Sequence, residues 1–178
     1  MRITTAIGIG AIILTAAARS RAADVGFESI GARFGYSSAE STKDFHQYDI
    51  FTDLRLPWRW TVCTTNWYVL PQAEISAGSL NKHGQYSFIG SAGPRFLFGH
   101  ERFPVTVFLG SGPTFLSRYD FEDRDFGIHF QFTTYVGVGL DIGRRFNVSY
   151  RAQHMSNGGL GSPNPGLNLQ TFSFSYRF

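Results

Sequence analysis

In the segment His154-Met155-Ser156-Asn157-Gly158-Gly159 an imidazole and a hydroxyl stand two residues apart. Side chains on an extended chain repeat every second residue, so His154 and Ser156 project side by side from one face. A hydroxyl beside an imidazole is the pair that acyl transfer needs: the imidazole takes the proton as the oxygen attacks a carbonyl carbon. Asn157, Gly158 and Gly159 follow at once, and glycine permits turns that aim backbone N–H groups at a developing oxyanion. A plainer account fits the same residues. A strand that has left hydrocarbon by residue 154 carries His and Ser with no chemical purpose, and the glycines open an ordinary loop. Spacing alone does not separate the two accounts.

The strand that carries the pair sharpens the question. Phe146, Val148, Tyr150 and Ala152 point one way and Asn147, Ser149, Arg151 and Gln153 the other; the apolar parity then continues into His154 and Ser156. From Gly26 onward the chain breaks into about eight such segments: 26–37, 44–58, 66–79, 84–98, 103–117, 126–141, 145–156 and 167–178. In 126–141, Ile128, Phe130, Phe132, Val136, Val138 and Leu140 oppose His129, Gln131, Thr133, Gly137, Gly139 and Asp141. In 44–58, Tyr48, Ile50, Leu54, Leu56 and Trp58 oppose Asp49, Asp53 and Arg55. In 84–98 the register is imperfect, because Ile89 and Leu97 fall on the parity of Gln85, Ser87, Ser91 and Arg95.

A soluble sandwich shows the same period, so the chemistry of the faces must choose the solvent. Aromatics dominate the apolar face and recur near segment ends. The polar face carries Asp49, Asp53, Arg55, Arg95 and Arg151, too many charges for a dry soluble core. The expected fold is therefore all-β: an eight-stranded antiparallel transmembrane β-barrel, narrow enough to be filled by side chains and so no open pore. The last segment alternates Phe172, Phe174, Tyr176 and Phe178 with Ser173, Ser175 and Arg177, and resembles the C-terminal signature of bacterial outer-membrane barrels. An even strand count puts both barrel ends on the periplasmic side, with the turn Gly143-Arg144-Arg145 below strand seven and the loop 157–166 outside. Nine residues at ~3.3 Å each, tilted by about 40°, then lift His154 roughly 23 Å up a band about 25 Å tall.

Composition narrows the setting. Met1–Ala22 has Arg2, an apolar run from Ala6 to Ala18 and a small-x-small site at Ser20-Arg21-Ala22, which reads as a signal peptide ahead of a barrel over 23–178. The run is shorter than the ~20 residues of a membrane helix. Of 16 basic residues, Arg2, Arg19 and Arg21 belong to this leader, and the thirteen that remain balance 13 acids. That neutrality removes the charge argument for a nucleic-acid partner. One cysteine, Cys63, excludes a disulfide framework and a cysteine-based zinc site. The acidic run Asp120, Glu122, Asp123 and Asp125, with Arg118 and Arg124, lacks EF-hand spacing and reads as a solvated external loop. His46, His83, His100 and His129 have no nucleophile at matching parity, and Gly8-x-Gly10 and Gly137-x-Gly139 sit in the leader and in a strand, so neither is a dinucleotide site.

The stretch His154 to Leu160, followed by Pro163-Asn164-Pro165-Gly166, resembles the motif of the PagL-type lipid A 3-O-deacylases. The resemblance implies an eight-stranded outer-membrane enzyme that removes a 3-hydroxyacyl chain from lipid A, with lipopolysaccharide and outer-membrane lipids as its partners and no metal or organic cofactor. It implies Ser156 as nucleophile, His154 as base, and Asn157, Gly158 and Gly159 around the oxyanion. The family pattern has a third member, a Glu fourteen residues after the His, where this chain has Asn168. Asn168 shares the outward parity of Phe172, so it is expected to reach His154. An amide oxygen accepts the imidazole N–H but brings no charge to stabilise imidazolium. Two alternatives follow, a working Ser-His-Asn site or a homologue of reduced activity. The rival class is a non-catalytic structural or binding barrel.

Overall fold

The computed structural model describes residues 25–37, 44–62 and 66–178. The expected leader 1–22, its cleavage point and Cys63 lie outside the described residues. The strands are β1 (Gly26–Tyr36), β2 (His46–Arg55), β3 (Trp60–Val62), β4 (Trp67–Lys82), β5 (Gln85–His100), β6 (Phe103–Leu116), β7 (Asp120–Phe121), β8 (Arg124–Asp125), β9 (Phe130–Ile142), β10 (Phe146–Ser156) and β11 (Leu167–Arg177). Eight of them, β1, β2, β4, β5, β6, β9, β10 and β11, form one antiparallel ring, closed where β1 pairs with β11 and β2 pairs with β4. Closure leaves the wall no unpaired edge, as hydrocarbon demands. The short β3 folds onto the start of β4, and β7–β8 is a small hairpin between β6 and β9.

Each expected segment is a wall strand, with shifted ends. The segment read as 44–58 is β2 only to Arg55, and Trp58 lies beyond it. The segment read from 126 begins at Phe130. There the Asp125 carboxylate accepts the Gly127 N–H at 2.7 Å, and Gly127 takes a φ of +81°, which turns the chain before it can extend. Phe126 is thereby delivered into the barrel, where it is 1% exposed, and burying such a ring contributes roughly 2–3 kcal/mol. The stretch read as a solvated loop holds β7–β8, whose Phe121 is buried beside Phe126.

Parity sorts the rest. On β9, Phe130, Phe132, Val136, Val138 and Leu140 are exposed on the outer surface, while Gln131, Thr133, Gly137 and Gly139 are buried inside. Mid-barrel, three arginines face three acids. Arg33 bridges Asp49 (2.7 Å) and Glu74 (3.1 Å), Arg151 meets the same Glu74 oxygen (2.8 Å), and Arg95 pairs with Asp53. Guanidinium planes cover Phe51, Phe108 and Tyr135, which replaces lost hydration by the ring quadrupole. Gly137 makes room for this layer, since a Cβ there would lie 2.5 Å from the Phe108 ring. Arg55, placed by parity among the inward charges, is exposed at the rim and reaches Glu28 at 3.5 Å.

Nearer the loop end of β10 the lumen changes character. Phe45, Leu80, Ile89, Leu116, Phe121, Phe126, Met155, Leu167 and Leu169 form an apolar plug. This explains why Ile89 breaks the polar parity of β5: its inward position belongs to the plug and not to the ionic layer. Met155, Leu167 and Leu169 alternate with His154, Ser156 and Asn168, so burying the first set aims the second set outward.

Candidate active site

On β10 and β11, His154 pairs directly with Asn168 across the ladder, and on the other side His154 pairs with Thr134 and Ser156 with Phe132. His154 and Asn168 are exposed and Ser156 half-buried, whereas Gln153 and Met155 between them are buried. The three side chains thus occupy the outer wall. His154 Nδ1–H donates to Asn168 Oδ1 at 2.7 Å. With its proton on Nδ1, the ring offers the lone pair of Nε2, the tautomer a general base requires. Ser156 Oγ makes no hydrogen bond among the described residues, so its proton is uncommitted; such contacts commonly tighten only around substrate.

The loop after β10 is held by one side chain. Asn157 is wholly buried, and its Nδ2 donates to Phe126 O (3.0 Å), Gly161 O (3.1 Å) and Pro163 O (3.0 Å), while its Oδ1 accepts the Gly159 N–H at 2.9 Å. Its own backbone N–H donates to Asn164 Oδ1 at 3.0 Å. Of the three amides expected around an oxyanion, those of Asn157 and Gly159 are therefore engaged within the loop. The Gly158 N–H is unengaged among the described residues. Gly158 and Gly159 have φ of +64° and +83°, a left-handed pair that other residues adopt only under strain.

Gly166 closes the far side. A Cβ on it would lie 2.8 Å from His154 Cε1 and 3.4 Å from Nε2, so the backbone at 166 lies flush against the imidazole edge. Arg124 holds this segment down, donating to Pro165 O at 2.8 Å and to Gly166 O. Gly166, Asn164 and Arg124 have no role in a reading of local spacing. Their signal is positional only: the glycine ends a Pro-Asn-Pro-Gly run that enters β11. Two acids of the 118–125 run are also tied into the fold, Asp125 by the Gly127 N–H and Asp123 by Lys82. Lys82 hydrogen-bonds Asp123 and holds its carboxyl below the ordinary carboxylate range.

Between outward side chains runs an open groove of about 770 Å³, lined by His154 and Asn168 at one end, by Thr134, Ser111 and Ala152, and by Phe96, Leu109 and Val136. Small and apolar residues make up much of this lining, which suits an acyl chain. The remaining histidines stand apart. His83 meets Asp44 (3.2 Å), His129 bonds Leu116 O (2.7 Å), His100 accepts the Arg102 N–H (3.1 Å), and His46 stacks on Phe34. Among the described residues no three His, Cys, Asp or Glu side chains gather for a metal.

Fold and site together define a class: a closed, side-chain-filled transmembrane barrel that carries a His-Asn pair and a neighbouring serine on its outer wall. The profile of the lipid A 3-O-deacylase (PagL) family matches residues 46–177, and the chain belongs to that family. The lipid A deacylase PagL of Bordetella bronchiseptica is 35% identical over 78 residues, which are 44% of this chain and 43% of that protein, so the match spans less than half of the relative's length. The crystal structure of the outer membrane enzyme PagL shares the fold, with a TM-score of 0.68 at 21% identity over 84% of this chain and 98% of the other.

Proposed function

We propose that this barrel is an outer-membrane esterase that hydrolyses the 3-O-linked hydroxyacyl chain of lipid A, delivered by a leader over 1–22 and working on lipopolysaccharide in the leaflet that surrounds it. The observation that carries the reading is the 2.7 Å bond between His154 and Asn168 on the outer wall, on the same face as Ser156. Ser156 Oγ attacks the ester carbonyl as His154 Nε2 takes its proton. The carbonyl oxygen gains the negative charge, and the free N–H of Gly158 lies in the turn built by Asn157 and Gly159 to receive it. Collapse breaks the bond to the sugar oxygen, which takes the proton from His154 and leaves an acyl-serine. Water then attacks the acyl-serine carbonyl, giving a proton to His154; collapse breaks the bond to Ser156 Oγ, which takes that proton back, and the hydroxy fatty acid departs. Asn168 keeps the proton on Nδ1 throughout but contributes no charge, so the imidazolium is stabilised less than by a carboxylate. The cycle calls on no metal and no cofactor.

Mass spectrometry of lipid A from cells expressing the chain tests this. Wild type removes one hydroxyacyl chain, and Ser156→Ala and His154→Ala leave lipid A intact. Intact lipid A beside correctly inserted wild-type protein leaves a structural or binding barrel as the answer.

A further inference from the structure

The outer wall carries polar groups beyond His154, Ser156 and Asn168. Thr134 pairs directly with His154, and Ser111 pairs directly with Thr134, so Asn168, His154, Thr134 and Ser111 form one continuous cross-strand row. Ser111 and Thr134 are both exposed on the outer face, and their hydroxyl oxygens are 2.9 Å apart. Along their own strands they are flanked on that face by Leu109 and Pro113 and by Phe132 and Val136. A hydroxyl facing hydrocarbon is costly unless it is hydrogen-bonded. The two satisfy each other with one proton, which leaves a second O–H and several lone pairs without a partner among the described residues. Both line the groove that His154 and Asn168 enter.

We propose that the Ser111–Thr134 hydroxyl pair is a subsite that hydrogen-bonds the 3-hydroxyl of the scissile acyl chain, so that the site discriminates hydroxyacyl from unsubstituted acyl esters. This rests on the esterase reading above and adds its substrate selection. Reach supports it. Thr134 is diagonal to Ser156 across β9 and β10, a separation of about 7–8 Å. The hydroxyl-bearing carbon of a 3-hydroxyacyl ester is two bonds of about 1.5 Å from the carbonyl carbon. With the carbonyl about 3 Å from Ser156 Oγ and a hydrogen bond of about 2.8 Å at the other end, the substrate spans that gap. An unsubstituted chain covers the same hydroxyls and offers them nothing, the asymmetry by which a polar site rejects a ligand lacking its partner group.

The test uses the full chain in detergent micelles with two lipid A substrates that differ only in the 3-O-linked chain, one 3-hydroxylated and one of equal length without the hydroxyl. Wild type favours the hydroxylated ester. The Ser111→Ala/Thr134→Val double variant loses that preference by about tenfold, and Thr134→Val alone by roughly threefold. Thr134→Ser, which retains the hydroxyl, keeps it. Barrel folding of each variant is checked by its heat-modifiable migration, and the single variant carries the test if the double one fails to fold. An unchanged preference in the folded variants, or no preference in wild type, overturns the subsite while leaving the esterase reading in place. Wild type that cleaves neither substrate overturns the esterase reading and the subsite with it.

Discussion

The two faces of β10 carry polar groups under opposite conditions. Inward, Arg151 meets Glu74 at 2.8 Å and Gln153 at 2.7 Å, and Gln153 reaches Gln47 at 2.8 Å, so each head group is held on more than one side. Outward, His154 has one partner and Ser156 has none among the described residues. A buried polar group whose capacity is used up contributes to structure, because leaving any of it unpaired in low dielectric costs several kcal/mol. An outward polar group with capacity to spare adds little to stability and stays available to a ligand. The same strand thus separates fully paired polar groups from underused ones by the direction of its side chains.

Breaking the outer face should leave the inner one intact. Ser156→Ala removes the proposed nucleophile and should reduce deacylation by about 10³-fold or more, measured on lipid A in micelles, with an unchanged unfolding transition. A comparable loss of stability would mean that the hydroxyl belongs to the scaffold.

Breaking the inner face should do the reverse. Glu74→Gln leaves Arg33 and Arg151 without their shared carboxylate and should lower barrel stability by about 3 kcal/mol, read from urea unfolding in micelles. Turnover per folded molecule should stay near wild type. A large fall in turnover at full folding would show that the lumen layer reaches the chemistry.

Asn168→Glu sharpens the contrast by adding charge only on the outer face. The amide already holds the proton on Nδ1, so the gain is smaller than the ~10⁴ lost when a triad carboxylate is replaced and the tautomer inverts. A rise in kcat of roughly ten- to a hundredfold is expected, with stability unchanged. No gain would identify Asn168 as sufficient.

Gly166→Ala is the mildest perturbation. The residue sits at φ +65°, and a methyl there intrudes on His154 Cε1. Displacing the imidazole should lower kcat by about tenfold, while the left-handed backbone costs about 1 kcal/mol in stability. An equal fall at a distant exposed glycine such as Gly143 would assign the effect to backbone strain alone.

Legibility in the sequence followed the range of the interaction. All eight wall strands were readable, because inward and outward residues alternate within each segment. The outward direction of His154, Ser156 and Asn168 came from the same parity. Phe126 was misplaced because an isolated apolar residue looks the same at the start of a strand as inside a plug. Gly166 and Arg124 were silent because their meaning depends on the loop folding back over the imidazole.

The chain by itself therefore determined which face most strand residues take, and with it that His154 and Ser156 share the outer side. That is a two-residue period, a local property of extended backbone. Only the closed barrel decided who meets whom. Arg151 finds Glu74 from 77 positions away, His154 finds Asn168 on β11, and the amide of Gly158 stays unengaged among the described residues while its neighbours are bonded. Those pairings depend on register and closure, and both are set by how all eight strands pack at once.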